Sequence, residues 1–234
     1  MLNPTNDVAF TRLFGTAANA ELTLTLLNHS LQSHLTSPLV EVVFLAPGQL
    51  PRDDSDPSIR LDMRCKDAQG NLFIVQMQVG KDQHFSQRAQ YYALQAFFTS
   101  LKERQPDEKL TAVLFLGFAN FNLFPDKKHY KSNHVFLDQK THENDLDHLR
   151  FTFVDLVACK QQNAHKSLAA RSQEEKLYTL LNEADKLDPS QLEQLIHHDP
   201  IMQRLQQQLT PSHWSQEALA RYEAAEQRQR NEPL

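Results

Sequence analysis

Apolar residues recur at three- and four-residue steps near the start of the chain and predict two amphipathic helices. The first runs from Asn6 to Phe14 with Phe10, Leu13 and Phe14; the second runs from Ala18 to Leu35 with Leu24, Leu27 and Leu31. Val40 to Leu45 is rich in β-branched residues and stops at Pro47-Gly48, so a strand gives way to a polar loop holding Asp53, Asp54, Asp56 and Pro57. The pattern then changes period. Ile59, Leu61, Met63 and Cys65 alternate with Arg60, Asp62, Arg64 and Lys66, the two-residue repeat of a strand with Asp62 on its polar-lined face.

After the turn-rich Asp67-Ala68-Gln69-Gly70-Asn71, a second alternating strand runs from Leu72 to Val79. Phe73, Val75, Met77 and Val79 take one side, and Leu72, Ile74, Gln76 and Gln78 take the other. A hairpin in which Lys66 faces Leu72 sets Asp62 opposite Gln76, with Gln78 one step along the same face. Facing residues stand about 4.5–5.5 Å apart at Cβ, so Asp62, Gln76 and Gln78 would form one polar patch able to share a water or a metal ion.

A further helix is predicted from His84 to Arg104, with Arg88, Tyr91, Tyr92 and Gln95 at helical spacing and Phe97, Phe98 and Leu101 as apolar surface. Leu110 to Phe118 and Leu149 to Val157 read as strands. Beyond about Ala164 strands disappear, and Asp188-Pro189, Asp199-Pro200 and Thr210-Pro211 each set a capping side chain before proline, the signature of a helix start. The organisation expected is a core over residues 1–164 and a helical C-terminal extension over 165–234, removable without unfolding the core.

Composition narrows the class. An apolar content of 40% over 234 residues supports a buried core, and no apolar run is long enough to span a bilayer. The two cysteines, Cys65 and Cys159, have neither zinc-site nor disulfide-framework spacing, which fits a reducing cytoplasm. A net charge of −5 argues against a general nucleic-acid binder, so any DNA contact must be local. The eleven histidines are dispersed, as solvated surface residues are.

Several segments, in order, resemble one family. Asn6-Asp7-Val8-Ala9-Phe10-Thr11-Arg12-Leu13-Phe14-Gly15 is similar to its opening motif, Leu26-Leu27-Asn28 to its LLN and Leu61-Asp62 to its LD strand. Val75-Gln76-Met77-Gln78-Val79 resembles its VEMQV, and Arg88-Ala89-Gln90-Tyr91-Tyr92 its RAQYY. This is the recombination-promoting nuclease and transposase family, built on the PD-(D/E)xK nuclease core, and the quoted motifs lie within residues 3 to 160. The resemblance implies an α/β, restriction-endonuclease-like mixed sheet flanked by helices. It also implies a magnesium-dependent DNA endonuclease site in which an aspartate and a glutamate hold the metal. Asp62 matches the aspartate and Gln78 the family's glutamine, while Gln76 occupies the glutamate position.

That departure has a physical cost. Magnesium prefers carboxylate oxygens, and a glutamine carbonyl can ligate it but brings no charge. Removing one unit charge from beside a divalent ion forfeits on the order of several kcal/mol at an effective dielectric of about 20. Either magnesium binds weakly or another carboxylate substitutes, the candidates being Asp7, Glu21, Asp53, Asp54, Asp56 and Asp82. Asp7 leads because it lies in the family's first motif, although an acid in the first turn of a helix also favours the helix dipole. Asp62 could instead pair with Arg60 or Arg64, and Arg88 could bind a DNA phosphate or pair with a carboxylate. Two functions stay open: a metal-dependent DNA endonuclease acting in recombination or on mobile DNA, and a catalytically inactive DNA- or protein-binding module on the same fold. Homo-oligomerisation is open in either case.

Overall fold

The computed structural model describes residues 1–45, 59–80, 84–103 and 110–231. Two helices, α1 (Asp7–Phe14) and α2 (Ala20–Ser30), precede the strands β1 (Leu39–Phe44), β2 (Ile59–Asp67) and β3 (Leu72–Gly80). The long helix α3 (Phe85–Glu103) then leads to β4 (Ala112–Ala119), β5 (Lys131–His134) and β6 (Leu149–Asp155). The chain ends in α4 (Leu156–Gln162), α5 (Gln173–Glu183), α6 (Pro189–Ile196), α7 (Pro200–Leu209) and α8 (Gln216–Asn231).

The strands form one mixed six-stranded sheet in the order β1-β2-β3-β4-β6-β5. The first three strands are antiparallel neighbours, β3-β4 and β4-β6 are parallel, and β5 closes the far edge antiparallel to β6. Alternation sorts the side chains onto two faces. Leu61, Met63, Val75, Met77, Leu114 and Leu116 belong to the larger core cluster, together with α1, α2 and the C-terminal helices. Ile74, Val113, Phe115, Phe151 and Phe153 belong to a smaller cluster capped by Phe85, Ala89, Ala93 and Ala96 of α3. The protein is therefore a three-layer α/β sandwich, with an asymmetry in how far each layer covers the sheet.

The motif residues make sense as local geometry. Asn6 caps α1, its Oδ1 accepting from the amides of Val8 (2.9 Å) and Ala9 (3.5 Å), while its amide nitrogen donates to the Tyr222 carbonyl of α8 at 3.2 Å. Gly15 ends α1 where a Cβ would lie 2.8 Å from the Thr11 carbonyl oxygen and 2.9 Å from Leu61, so only glycine lets the helix approach β2 so closely. Asn28 completes the first backbone pair of β1 from α2, donating to the Leu39 carbonyl (2.9 Å) and accepting from the Leu39 amide (2.7 Å).

Two of the three proline-marked helix starts behave as predicted. Asp188 and Asp199 cap α6 and α7 through their carboxylates, with proline at the first helical position. Thr210-Pro211 opens only a short 3-10 turn, and α8 starts at Gln216. The Trp214 ring between them anchors the chain, its indole N–H donating to the Gln208 carbonyl at 2.6 Å. Strand β5 carries no alternation to predict it; Lys131-Ser132-Asn133-His134 is a strand because β6 offers its free edge. His34 departs from the surface expectation, being 7% exposed beneath the sheet's edge.

The C-terminal helices are not held apart from the sheet. Leu177, Tyr178, Leu205, Leu209, Trp214 and Tyr222 lie in the same core cluster as Phe10 and Leu116. The Tyr178 ring meets Phe118 of β4 at 5.9 Å, and its buried hydroxyl hydrogen-bonds Ser30 at 2.9 Å.

Candidate functional site

The β2-β3 register is the one the alternation predicts: Asp62 pairs with Gln76, Arg60 with Gln78 and Lys66 with Leu72. The rows continue into the parallel strands. Gln76 is beside Phe115 and Gln78 beside Gly117, and these in turn adjoin Phe151 and Phe153. On this face the sheet thus passes from polar positions on β2 and β3 to an aromatic floor on β4 and β6.

Helix α3 covers the aromatic part. Phe85 packs on Phe115 (6.1 Å) and Phe153 (5.8 Å), directly over Gly117, where a Cβ would come within 2.8 Å of its ring. Gly117 therefore seats the start of α3 beside the row that carries position 78. Phe97 lies on the flank of α3 nearer β6, 6.2 Å from the His148 ring. Arg88, Tyr92 and Gln95 are at helical spacing on the flank opposite Phe97. Arg88 is half-buried and Tyr92 is buried. Asp62 is half-buried, while Arg64 and Lys66, one and two steps along the same face of β2, are exposed. The strand's even positions 60, 62, 64 and 66 hold three basic residues and one acid, and Glu41 of β1 is paired opposite Lys66.

Asp7 opens α1, whose buried residues Phe10, Leu13 and Phe14 lie in the core on the other side of the sheet. Glu21 forms an ion pair with Arg204 of α7 at 3.0 Å, away from β2. Asp53, Asp54, Asp56 and Asp82 lie outside the described residues. Position 62 thus pairs with position 76, with position 78 one step along the same face, and the nearest described carboxylate in the ladder is Glu41, opposite Lys66.

A family model for the PD-(D/E)XK nuclease family transposases matches residues 4–233. The chain belongs to this family. The match runs through the C-terminal helices, well past the motifs legible by eye, in keeping with their place in the core. No curated protein and no solved structure matches the chain. Family members of the PD-(D/E)XK type act on DNA and generally use divalent metals. Among the described residues no three His, Cys, Asp or Glu side chains group together as a metal site, and no helix is long and apolar enough to cross a membrane. Along this row the described residues hold one carboxylate beside two amide-bearing positions, one anion fewer than a site of the two-carboxylate kind.

Proposed function

We propose that this chain is a cytoplasmic DNA-acting protein of mobile-DNA or recombination systems. In this reading its β2-β3 face receives the phosphate backbone, and its nuclease activity is weak or lost because Gln76 replaces a metal-binding glutamate. The observation that carries the reading is the pairing of Asp62 with Gln76 inside a row bearing Arg64 and Lys66. The basic residues supply the sequence-independent attraction that backbone binding needs. Arg88, on the α3 flank beside that row, adds a fork suited to a phosphate. Asp62 is the metal ligand in this reading, with Gln76 at the second ligand position, Asp7 as the substitute acid and Gln78 positioning water; the missing charge at position 76 keeps Mg2+ affinity low.

Gln76 at the glutamate position and the net charge of −5 favour a second reading, a catalytically inactive DNA- or protein-binding module on the same fold. Calorimetric titration of Mg2+ and Mn2+ into the wild type and Asp62→Ala, beside plasmid nicking, separates the two. Weak binding that disappears in Asp62→Ala supports a residual metal site; DNA binding without metal binding in either protein supports the inactive module.

A further inference from the structure

Helix α3 turns Phe85, Ala89, Ala93 and Ala96 onto the sheet. Half a turn away lie Tyr91, Leu94, Phe98 and Leu101, which are 53%, 54%, 58% and 39% exposed. Their alternating three- and four-residue steps set them in one line along the helix. A solvated helix ordinarily carries charge on its outer face. Yet in a chain where 23% of residues are charged, α3 has no Asp, Glu, Lys or Arg from Ala89 to Leu101. The outer face is bordered instead by the exposed amides of Gln87 and Gln90. Its aromatic rings have neighbours on the helix itself: Gln95 Nε2 donates to the Tyr91 hydroxyl at 2.6 Å, and the Lys102 ammonium lies 4.4 Å from the Phe98 ring centroid.

Three features fit this face to a second copy of the chain. Two copies of net charge −5 repel, and a face without acids lets them approach with no like charges opposed. The line has the three-four spacing of a helix-pair seam, and it fits itself when the second helix runs antiparallel across a two-fold axis. Tyr91 of one copy then meets Leu101 of the other, and Leu94 meets Phe98, with both pairs sharing a midpoint at Ala96; each aromatic ring faces a leucine. The area also suffices. A full aromatic side chain offers roughly 150–250 Å², so these half-exposed groups present on the order of 400 Å² per copy, a size at which an open apolar patch marks a contact surface. With their glutamine borders, two such faces cover on the order of 1,000 Å², where specific interfaces begin.

We propose that the protein self-associates through the outer face of α3, which pairs antiparallel with the same face of a second copy about a two-fold axis at Ala96. The sheet side of α3, with Phe85 on Gly117, is unaffected by this pairing.

The test is sedimentation velocity on the full-length protein between about 1 and 200 µM, the range in which a small interface dissociates, for wild type, Leu94→Glu, Phe98→Lys and an equimolar mixture of the two variants. Both positions are more than half exposed, and circular dichroism and thermal melting check that each variant is folded. Wild type is expected to shift from monomer to dimer across this range. Each single variant buries an unpaired charge twice in its own dimer and should weaken self-association at least tenfold. The mixture should dimerise again, because the new carboxylate at position 94 of one copy faces the new ammonium at position 98 of the other while the second Leu94–Phe98 contact stays native. Wild type that stays monomeric throughout, a dimer unchanged in either single variant, or a mixture that stays monomeric would each overturn the pairing. No DNA is present, so the outcome is independent of the DNA reading above.

Discussion

Asp62 stands opposite Gln76 in the β2-β3 ladder, so an acid at position 76 would lie directly across the strands from Asp62. Gln76→Glu adds a hard oxygen and a full charge with almost no change of volume. Mg2+ affinity should rise at least tenfold, about 1.4 kcal/mol or more, and plasmid nicking should appear or increase; adding Asp62→Ala should abolish both gains. Wild type that already nicks as fast as Gln76→Glu would place the missing charge on another carboxylate, which Asp7→Ala would then test. A Gln76→Glu protein that neither binds metal nor cuts leaves the inactive module as the account.

Removal of residues 165–234 tests whether the division at 164 separates two folding units. Phe10, Leu13 and Phe14 share a core with Leu205, Leu209 and Tyr222, and the Tyr222 hydroxyl accepts from the Asn3 amide at 2.8 Å. Each large apolar side chain stripped of its cover forfeits roughly 1.5–3 kcal/mol, and several such losses exceed the usual stability of a domain, about 5–15 kcal/mol. A 1–164 chain should therefore show no cooperative melting transition in calorimetry. A sharp transition would establish the first 164 residues as a unit of their own.

Gly117→Ala should destabilise the protein by about 1–3 kcal/mol, because a methyl there meets the Phe85 and Phe153 rings at 2.8–2.9 Å. The displaced start of α3 should also weaken DNA binding through Arg88. Urea unfolding and anisotropy measure the two effects; a variant as stable as wild type would mean that Phe85 does not bear on Gly117 in solution.

Burial holds His34 below its ordinary value near 6.5, with Arg150, His134 and Lys131 acting in the same sense and the hydrogen bond to the Phe151 carbonyl opposing them. The unfolded chain therefore takes up this proton first as pH falls. Stability from His34 is complete above about 6.5 and declines as the pH drops toward the folded value. Urea midpoints between pH 7.5 and 5 should fall, with a shallower slope in His34→Gln; an identical slope in that variant would assign the effect elsewhere.

Cys65 is 1% exposed within the larger core, and burial pushes its thiol up to about 12. Native protein should react with a thiol reagent at Cys65 only as fast as it unfolds. Rapid labelling at neutral pH without urea would show that β2 opens locally.

Much of the fold was legible because period and register are local properties. The alternation through Ile59–Cys65 and Leu72–Val79 determined which residues face the core, and a single turn assumption set Asp62 against Gln76. Capping chemistry marked α6 and α7 for the same reason: Asp188 and Asp199 need only the next three residues to act. The sequence did not determine what covers each face, because packing partners lie far apart along the chain. Strand β5 exists only through β6, and α8 reaches the opening motif through Asn6 and Tyr222, 216 residues apart. It took the tertiary structure to put Arg64 and Arg150 around one cavity, and to bury Phe10, Leu13 and Phe14 of α1 in the core cluster of Leu61 and Met63. A strand's period fixes which side a residue takes, but the helix that lies over it is chosen by long-range burial of apolar surface.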